Sequence, residues 1–140
     1  DKNLEIKTSS NICSTAKRYK TIFFYNLEKI EKLKKLRSLK IKTIKINLEK
    51  NHLDFNEVIK CIKKIGIKSV LVESGIKFNK FLLDSNLLND FYHFYTEKHL
   101  KRNGIYNAKS FFLRLNKIKK KREKIIVNLL DDKLDKYMII

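Results

Sequence analysis

Glu73 and Gly75 stand one residue apart in SVLVESGIKFNKF, residues 69–81. An apolar run leads into the glutamate, and a helix-like segment follows the glycine. A carboxylate that ends a buried strand can accept a hydrogen bond from a bound polar molecule. Gly75 lets the backbone approach a ligand closely or take a positive φ. The helix after it offers unpaired N–H groups and the positive end of its dipole, which together suit a phosphate. Lys77 and Lys80 add charge on the first turns. A cofactor phosphate below and a polar substrate above would account for the arrangement. The same spacing also serves a plain strand-to-helix turn, with Glu73 complementing the helix dipole. No GxGxxG or GxxxxGK[ST] fingerprint occurs to decide between the two.

Other reactive residue types form no constellation. His52, His93 and His99 share no metal-ligand spacing, so no metal site is expected, and His93 is read as a structural residue on a strand. Cys13 and Cys61 lie far apart, with no CxxC pair or zinc pattern. Cys61 is expected as a small core residue of a helix. The pattern assigns no catalytic acid, base or nucleophile. A reduced, cytoplasmic protein is the reading. No run of 18 apolar residues and no apolar leader occurs, so no membrane contact is expected.

The formal net charge of +18 raises a phosphate-bearing partner, either nucleic acid or a phosphorylated small molecule. The lysines are spread along the chain, however. Ile and Asn are abundant, and Pro and Trp are absent. AT-rich coding produces that composition, so most of the excess is read as solvated lysine faces. The run KIKKKREK, residues 117–124, is expected as an exposed strand face whose lysines discourage edge-to-edge pairing. It lacks the interleaved exposed aromatics of single-strand binders and any helix-turn-helix or zinc-finger motif. Tyr92, Phe94 and Tyr95 are assigned to sheet core or a dimer contact.

The elements that must hold Glu73 and Gly75 follow from periodicity, because three glycines and no proline leave few breaks. Strands are expected over residues 20–26, 41–47 and 68–73, the last covered on both faces because its apolar run is nearly continuous. A helix after Asn26 places Leu27, Ile30, Leu33 and Leu36 on one stripe. A second helix is capped by Asp54, with Glu57 completing a capping box. It buries Val58, Ile59, Ile62 and Ile65 and stops at Gly66. A third, over residues 76–84, buries Phe78, Phe81 and Leu82. A fourth strand spans residues 90–97, and the last 30 residues close as a hairpin turning near Asp131 and Asp132. Alternating strands and helices predict an α/β layered fold with parallel neighbours. Ligands of such sheets bind beyond the carboxyl ends of the strands, where Glu73 and Gly75 would sit. The 140 residues and 43% hydrophobic content suit one domain, residues 1–140.

Residues 66–100, GIKSVLVESGIKFNKFLLDSNLLNDFYHFYTEKHL, resemble the reductase domain of the bifunctional riboflavin-biosynthesis deaminase/reductase family. That family shows a Gly-Ile-x-Ser-[Val/Leu]-[Leu/Trp]-Val-Glu-Gly-Gly run, then a helix and a strand. The opening DKNLEI and the terminal LLDDKLDKYMII are similar to its early Asp-x-x-Leu-x-Ile segment and its last strand, so the C-terminus is expected to be that of the domain. The resemblance implies a dihydrofolate-reductase-like α/β sheet with flanking helices and a C-terminal antiparallel hairpin. It implies NADPH-dependent reduction of 5-amino-6-(5-phosphoribosylamino)uracil to the ribitylamino product, and pairing of two reductase domains. By position, Glu73 matches the substrate-binding glutamate. Gly75, Ile76, Lys77, Phe78, Asn79, Lys80 and Phe81 match the NADPH-contacting loop and helix start.

Ser74 replaces the family's first glycine and Ile76 its proline. The family's Gly-x-x-Thr and Asp-[Asp/Asn]-Pro-x-Leu-Thr-x-Arg segments, and its zinc-binding deaminase domain, have no counterpart in this sequence. The expectation is therefore the C-terminal portion of a reductase domain. A complementing fragment that needs a separate chain is the second reading, and a basic nucleic-acid-binding protein the third.

Overall fold

The computed structural model describes residues 1–96, 107–127 and 132–139. They fall into two compact units, Asp1–Val70 and Leu71–Ile140.

In the first unit, α1 (Asn11–Ser14) precedes β1 (Ile22–Tyr25), α2 (Ile30–Ser38) and β2 (Lys42–Lys45). β1 and β2 pair in parallel, with Ile22 opposite Lys42 and Tyr25 opposite Lys45. A parallel pair needs a crossover, and α2 supplies it. Phe23 and Tyr25 alternate inward from β1, where they join Leu4, Cys13, Ala16, Leu33, Leu36 and Ile41 in one core. The expected α2 stripe is only half realised, because Leu27 and Ile30 are exposed. The helix starts after Lys29, not at Asn26. Asn26 turns its amide to the Ile46 carbonyl instead, at 2.9 Å.

A two-residue ribbon follows, β3 (Leu48–Glu49) with β4 (His52–Leu53), before α3 (Phe55–Lys64). Asp54 caps α3 as expected, accepting from the N–H groups of Asn56 at 2.9 Å and Glu57 at 3.2 Å. Such a cap contributes about 1 kcal/mol. Glu57 departs from the capping box. Its carboxylate accepts from the N–H of Asn47 at 2.8 Å, while the Asp54 N–H donates to the Asn47 carbonyl. The glutamate thus ties the end of β2 to the start of α3. Of the four apolar residues expected on the buried face, Val58 is buried, Ile59 and Ile62 are half-buried, and Ile65 is exposed.

Gly66 stops α3 at φ +90, and its N–H and that of Ile67 close back on Lys63 and Ile62. The same pair of bonds ends α2 around Lys40 at φ 66. A left-handed residue after the helix is what this closure requires. A lysine there is strained by roughly 1 kcal/mol relative to glycine.

Residues 68–73 do not form the expected third strand. They pair with no strand among the described residues, and Leu71 is 79% exposed. The second unit holds α4 (Ile76–Asp84), β5 (Asp90–Tyr95), α5 (Lys109–Ile118), β6 (Lys121–Ile125) and β7 (Lys133–Met138). β7 lies between β5 and β6, antiparallel to both. The C-terminal antiparallel hairpin is present. Asp131, part of its expected turn, lies outside the described residues, as do Glu97 and His99. Phe111 and Leu115 of α5 pack with Leu83 of α4, Tyr137 and Ile139 to form this unit's core. α5 is absent from the expected elements.

Candidate functional site

Glu73 leads into α4 through Ser74 and Gly75. It is exposed and makes no hydrogen bond among the described residues. Gly75 is the N-cap of α4 at φ −72 and ψ 165, an extended conformation open to any residue. A Cβ on Gly75 would meet nothing within 4 Å. The expected need for positive φ or close packing is therefore not met within this chain. Ser74 also has no positive φ, so a serine at the family's first glycine position carries no backbone strain.

Ser74 is put to use by Asn79. The serine hydroxyl donates to Asn79 Oδ1 at 2.6 Å, and Asn79 Nδ2 donates to the Ser74 carbonyl at 3.2 Å. These two bonds fix the approach of the chain to α4 one turn inside the helix. No side chain caps the helix, and its first turn holds no acidic residue. The positive end of the dipole is thus not neutralised by a carboxylate of its own first turn. Lys77, in that turn, is exposed.

The other expected cofactor residues divide by environment. Ile76 packs against the unit's core. Phe78 and Phe81 were expected to be buried but are exposed, and their rings stack on each other with centroids 5.8 Å apart. Leu82 is buried as expected, and Leu83 joins it. Lys80 is engaged along the helix by Asp84, whose second oxygen lies 3.9 Å from Arg114 of α5. The chain therefore brings together, at one helix start, a carboxylate, an uncapped dipole end, one lysine and an aromatic pair. Sequence reasoning missed the Ser74–Asn79 lock and the Arg114 contact. The spacing of Phe111, Phe112, Leu115 and Ile118 was the available signal for α5.

A second group of ionisable residues lies on the sheet. Asp135 of β7, buried to 2% exposure, accepts from Arg122 Nη2 at 2.6 Å. This bond holds the Arg122 guanidinium above its ordinary value. His93 faces Asp135 in register, with its ring centroid 4.5 Å from that of Phe112. Burial holds His93 below its usual 6.5; Arg122 adds to this and Asp135 opposes it. Folding therefore favours the neutral imidazole. Nothing is lost well above pH 6.5, where both states are neutral, and stability falls as pH drops from there through the lowered folded value. The thermal midpoint is expected to fall on acidification, and His93→Phe is expected to flatten that slope. An unchanged slope in His93→Phe would remove His93 as its source.

Among the described residues no group of three His, Cys, Asp or Glu could hold a metal ion. No helix among them is long and apolar enough to cross a membrane.

No protein-family model and no curated protein matches the sequence. Its fold is similar to that of solved structures, among them a pyrimidine reductase-like protein from Corynebacterium diphtheriae, with a TM-score of 0.65 over 100% of this chain at 10% identity. The chain has the fold of that pyrimidine reductase-like protein. The α/β, dihydrofolate-reductase-like class expected from the resemblance is thus the class observed. The chain spans 59% of the length of the reductase-like protein. At this identity the likeness is one of fold.

Proposed function

We propose that this chain is an NADPH-dependent reductase of riboflavin biosynthesis, acting on 5-amino-6-(5-phosphoribosylamino)uracil. The observation that carries the reading is the start of α4. An uncapped helix end, without a first-turn acid and preceded by Glu73, occurs in a chain with the fold of a pyrimidine reductase-like protein.

The residues fit a phosphorylated dinucleotide at this end. The dipole and Lys77 favour an anion, and the stacked Phe78 and Phe81 offer an apolar surface to a planar ring. Gly75, Ile76, Lys77, Phe78, Asn79, Lys80 and Phe81 would hold NADPH, with Asn79 acting through Ser74 and Lys80 beside Asp84. When bound, NADPH supplies a hydride. Glu73 would accept a hydrogen bond from the substrate and orient it. A phosphorylated pyrimidine and a cytoplasmic setting go with this reading.

In a second reading these residues supply only part of a reductase site, since they span 59% of the length of the reductase-like protein. The test is NADPH oxidation by the purified chain with the phosphoribosylamino-pyrimidine, alongside NADPH binding by fluorescence. Turnover is expected under the first reading. Binding without turnover selects the second. A folded chain that neither binds nor oxidises NADPH overturns both.

A further inference from the structure

The acidic and basic residues of the first unit separate along its strands. β1 and β2 run parallel and α2 carries the chain back between them, so this sheet has an amino end and a carboxyl end. At the carboxyl end stand Glu28, after β1, and Glu31, in the first turn of α2. Glu57 accepts from the Asn47 N–H just past β2. Asp1 adjoins Lys2, whose carbonyl accepts from the N–H groups of Asn26 and Leu27. At the amino end, Lys17, Arg18 and Lys20 precede β1, while Arg37, Lys40 and Lys42 run from the last turn of α2 into β2. The two segments meet there, because the Lys42 N–H donates to the Thr21 carbonyl at 3.0 Å.

All six of these basic residues are exposed. No Asp or Glu occurs between Glu5 and Glu28, or between Glu31 and Glu49. The ion pairs of this unit among the described residues, Lys34–Glu31 and Lys45–Glu28, leave all six out. An AT-rich composition raises the number of lysines but does not sort them from the acids by end of a sheet. The α2 dipole accounts for Glu31 and Arg37. It does not account for Lys17, Arg18 and Lys20, which belong to another segment.

Tyr19 supplies what a bare basic patch lacks. It is 56% exposed, and the Arg18 guanidinium lies over one face of its ring, 5.2 Å from the centroid. An aromatic ring among cations suits single-stranded nucleic acid, whose bases stack on the ring while its phosphates meet the lysines. The run over residues 117–124 is different. It has no aromatic residue, and it pairs Lys121 with Glu123 and Arg122 with Asp135.

We propose that the amino end of the β1–β2 pair binds single-stranded nucleic acid, with a base stacked on Tyr19 and phosphates on the surrounding lysines and arginines. The inference does not rest on the proposed reductase activity, whose residues lead into and lie on α4.

Lys40 offers a variant that separates binding from folding. It sits at φ 66, where glycine is easier, so Lys40→Gly removes a charge while relieving strain. The experiment is fluorescence anisotropy of a labelled oligothymidylate titrated with the chain over a range of salt. Tyr19→Leu is measured beside Lys40→Gly, with Lys117→Gln as the control, and circular dichroism checks each fold. Affinity is expected to fall steeply with salt. Lys40→Gly should make the slope of log affinity on log salt shallower by about 0.7. Tyr19→Leu should weaken binding at least ~5-fold without changing that slope. Lys117→Gln should alter neither. No binding, a slope that Lys117→Gln reduces as much as Lys40→Gly does, or an affinity indifferent to Tyr19→Leu overturns the proposal. So does a chain that ignores the oligonucleotide but binds phosphatidylserine vesicles through Lys40, which would assign the patch to a membrane surface.

Discussion

Phe111→Ala is expected to destabilise the second unit by about 3–5 kcal/mol, the range for removing a buried aromatic ring. Phe111 is 1% exposed, and its ring meets those of Phe91 and Phe112 edge-on. It joins Leu83 of α4 to Tyr137 of β7 through one cluster. The effect should be a large fraction of the unit's stability, since small domains hold only about 5–15 kcal/mol. No disulfide offsets the loss, as both cysteines are free. Phe111→Leu keeps most of the volume and should be milder. Denaturant unfolding followed by circular dichroism measures both. A loss under about 1 kcal/mol for the alanine variant would mean that α5 does not hold the sheet.

The sequence announced α3 and α4 well and the connection between them poorly, for identifiable reasons. Asp54 and Gly66 are local signals whose geometry is decided within a few residues, and both act as expected. Residues 76–84 were placed with the right bounds because Gly75 and the apolar spacing agree. Lys40 and Asn86 adopt the left-handed conformation without being glycine, so two helix stops carried no glycine to mark them. The near-continuous apolar run over residues 68–73 predicts a doubly covered strand. Such a run specifies burial only if neighbouring strands exist, and no strand pairs with it among the described residues. The basic run over residues 117–124 concealed the end of α5, because charge and helical period were competing for the same residues. Within the candidate site, the open helix start was legible from residue types. The Ser74–Asn79 lock was not, because a serine in place of glycine reads as a defect until its hydroxyl is seen to find a partner.

Under the proposed reductase activity, Glu73→Gln is expected to lower turnover by roughly 10- to 100-fold while leaving the thermal midpoint unchanged. The glutamate is exposed and without hydrogen bonds among the described residues, so its charge supports no part of the described structure. Surface substitutions of this kind stay within about 0.5 kcal/mol. A hydrogen bond from a bound molecule to a charged acceptor contributes about 1.5–3 kcal/mol, which sets the size of the kinetic effect. Glutamine keeps the length and one acceptor oxygen, and replaces the other, with its charge, by an NH2 donor. Gly75→Ala probes the same turn independently. Its backbone suits alanine and its surroundings are open, so the fold should tolerate it. A methyl there obstructs only a molecule lying against the helix start. Loss of NADPH affinity in a folded Gly75→Ala variant would make that glycine a point of close approach. Full activity in both variants would reduce residues 73–75 to a turn, and the reductase reading would lose the observation that carries it.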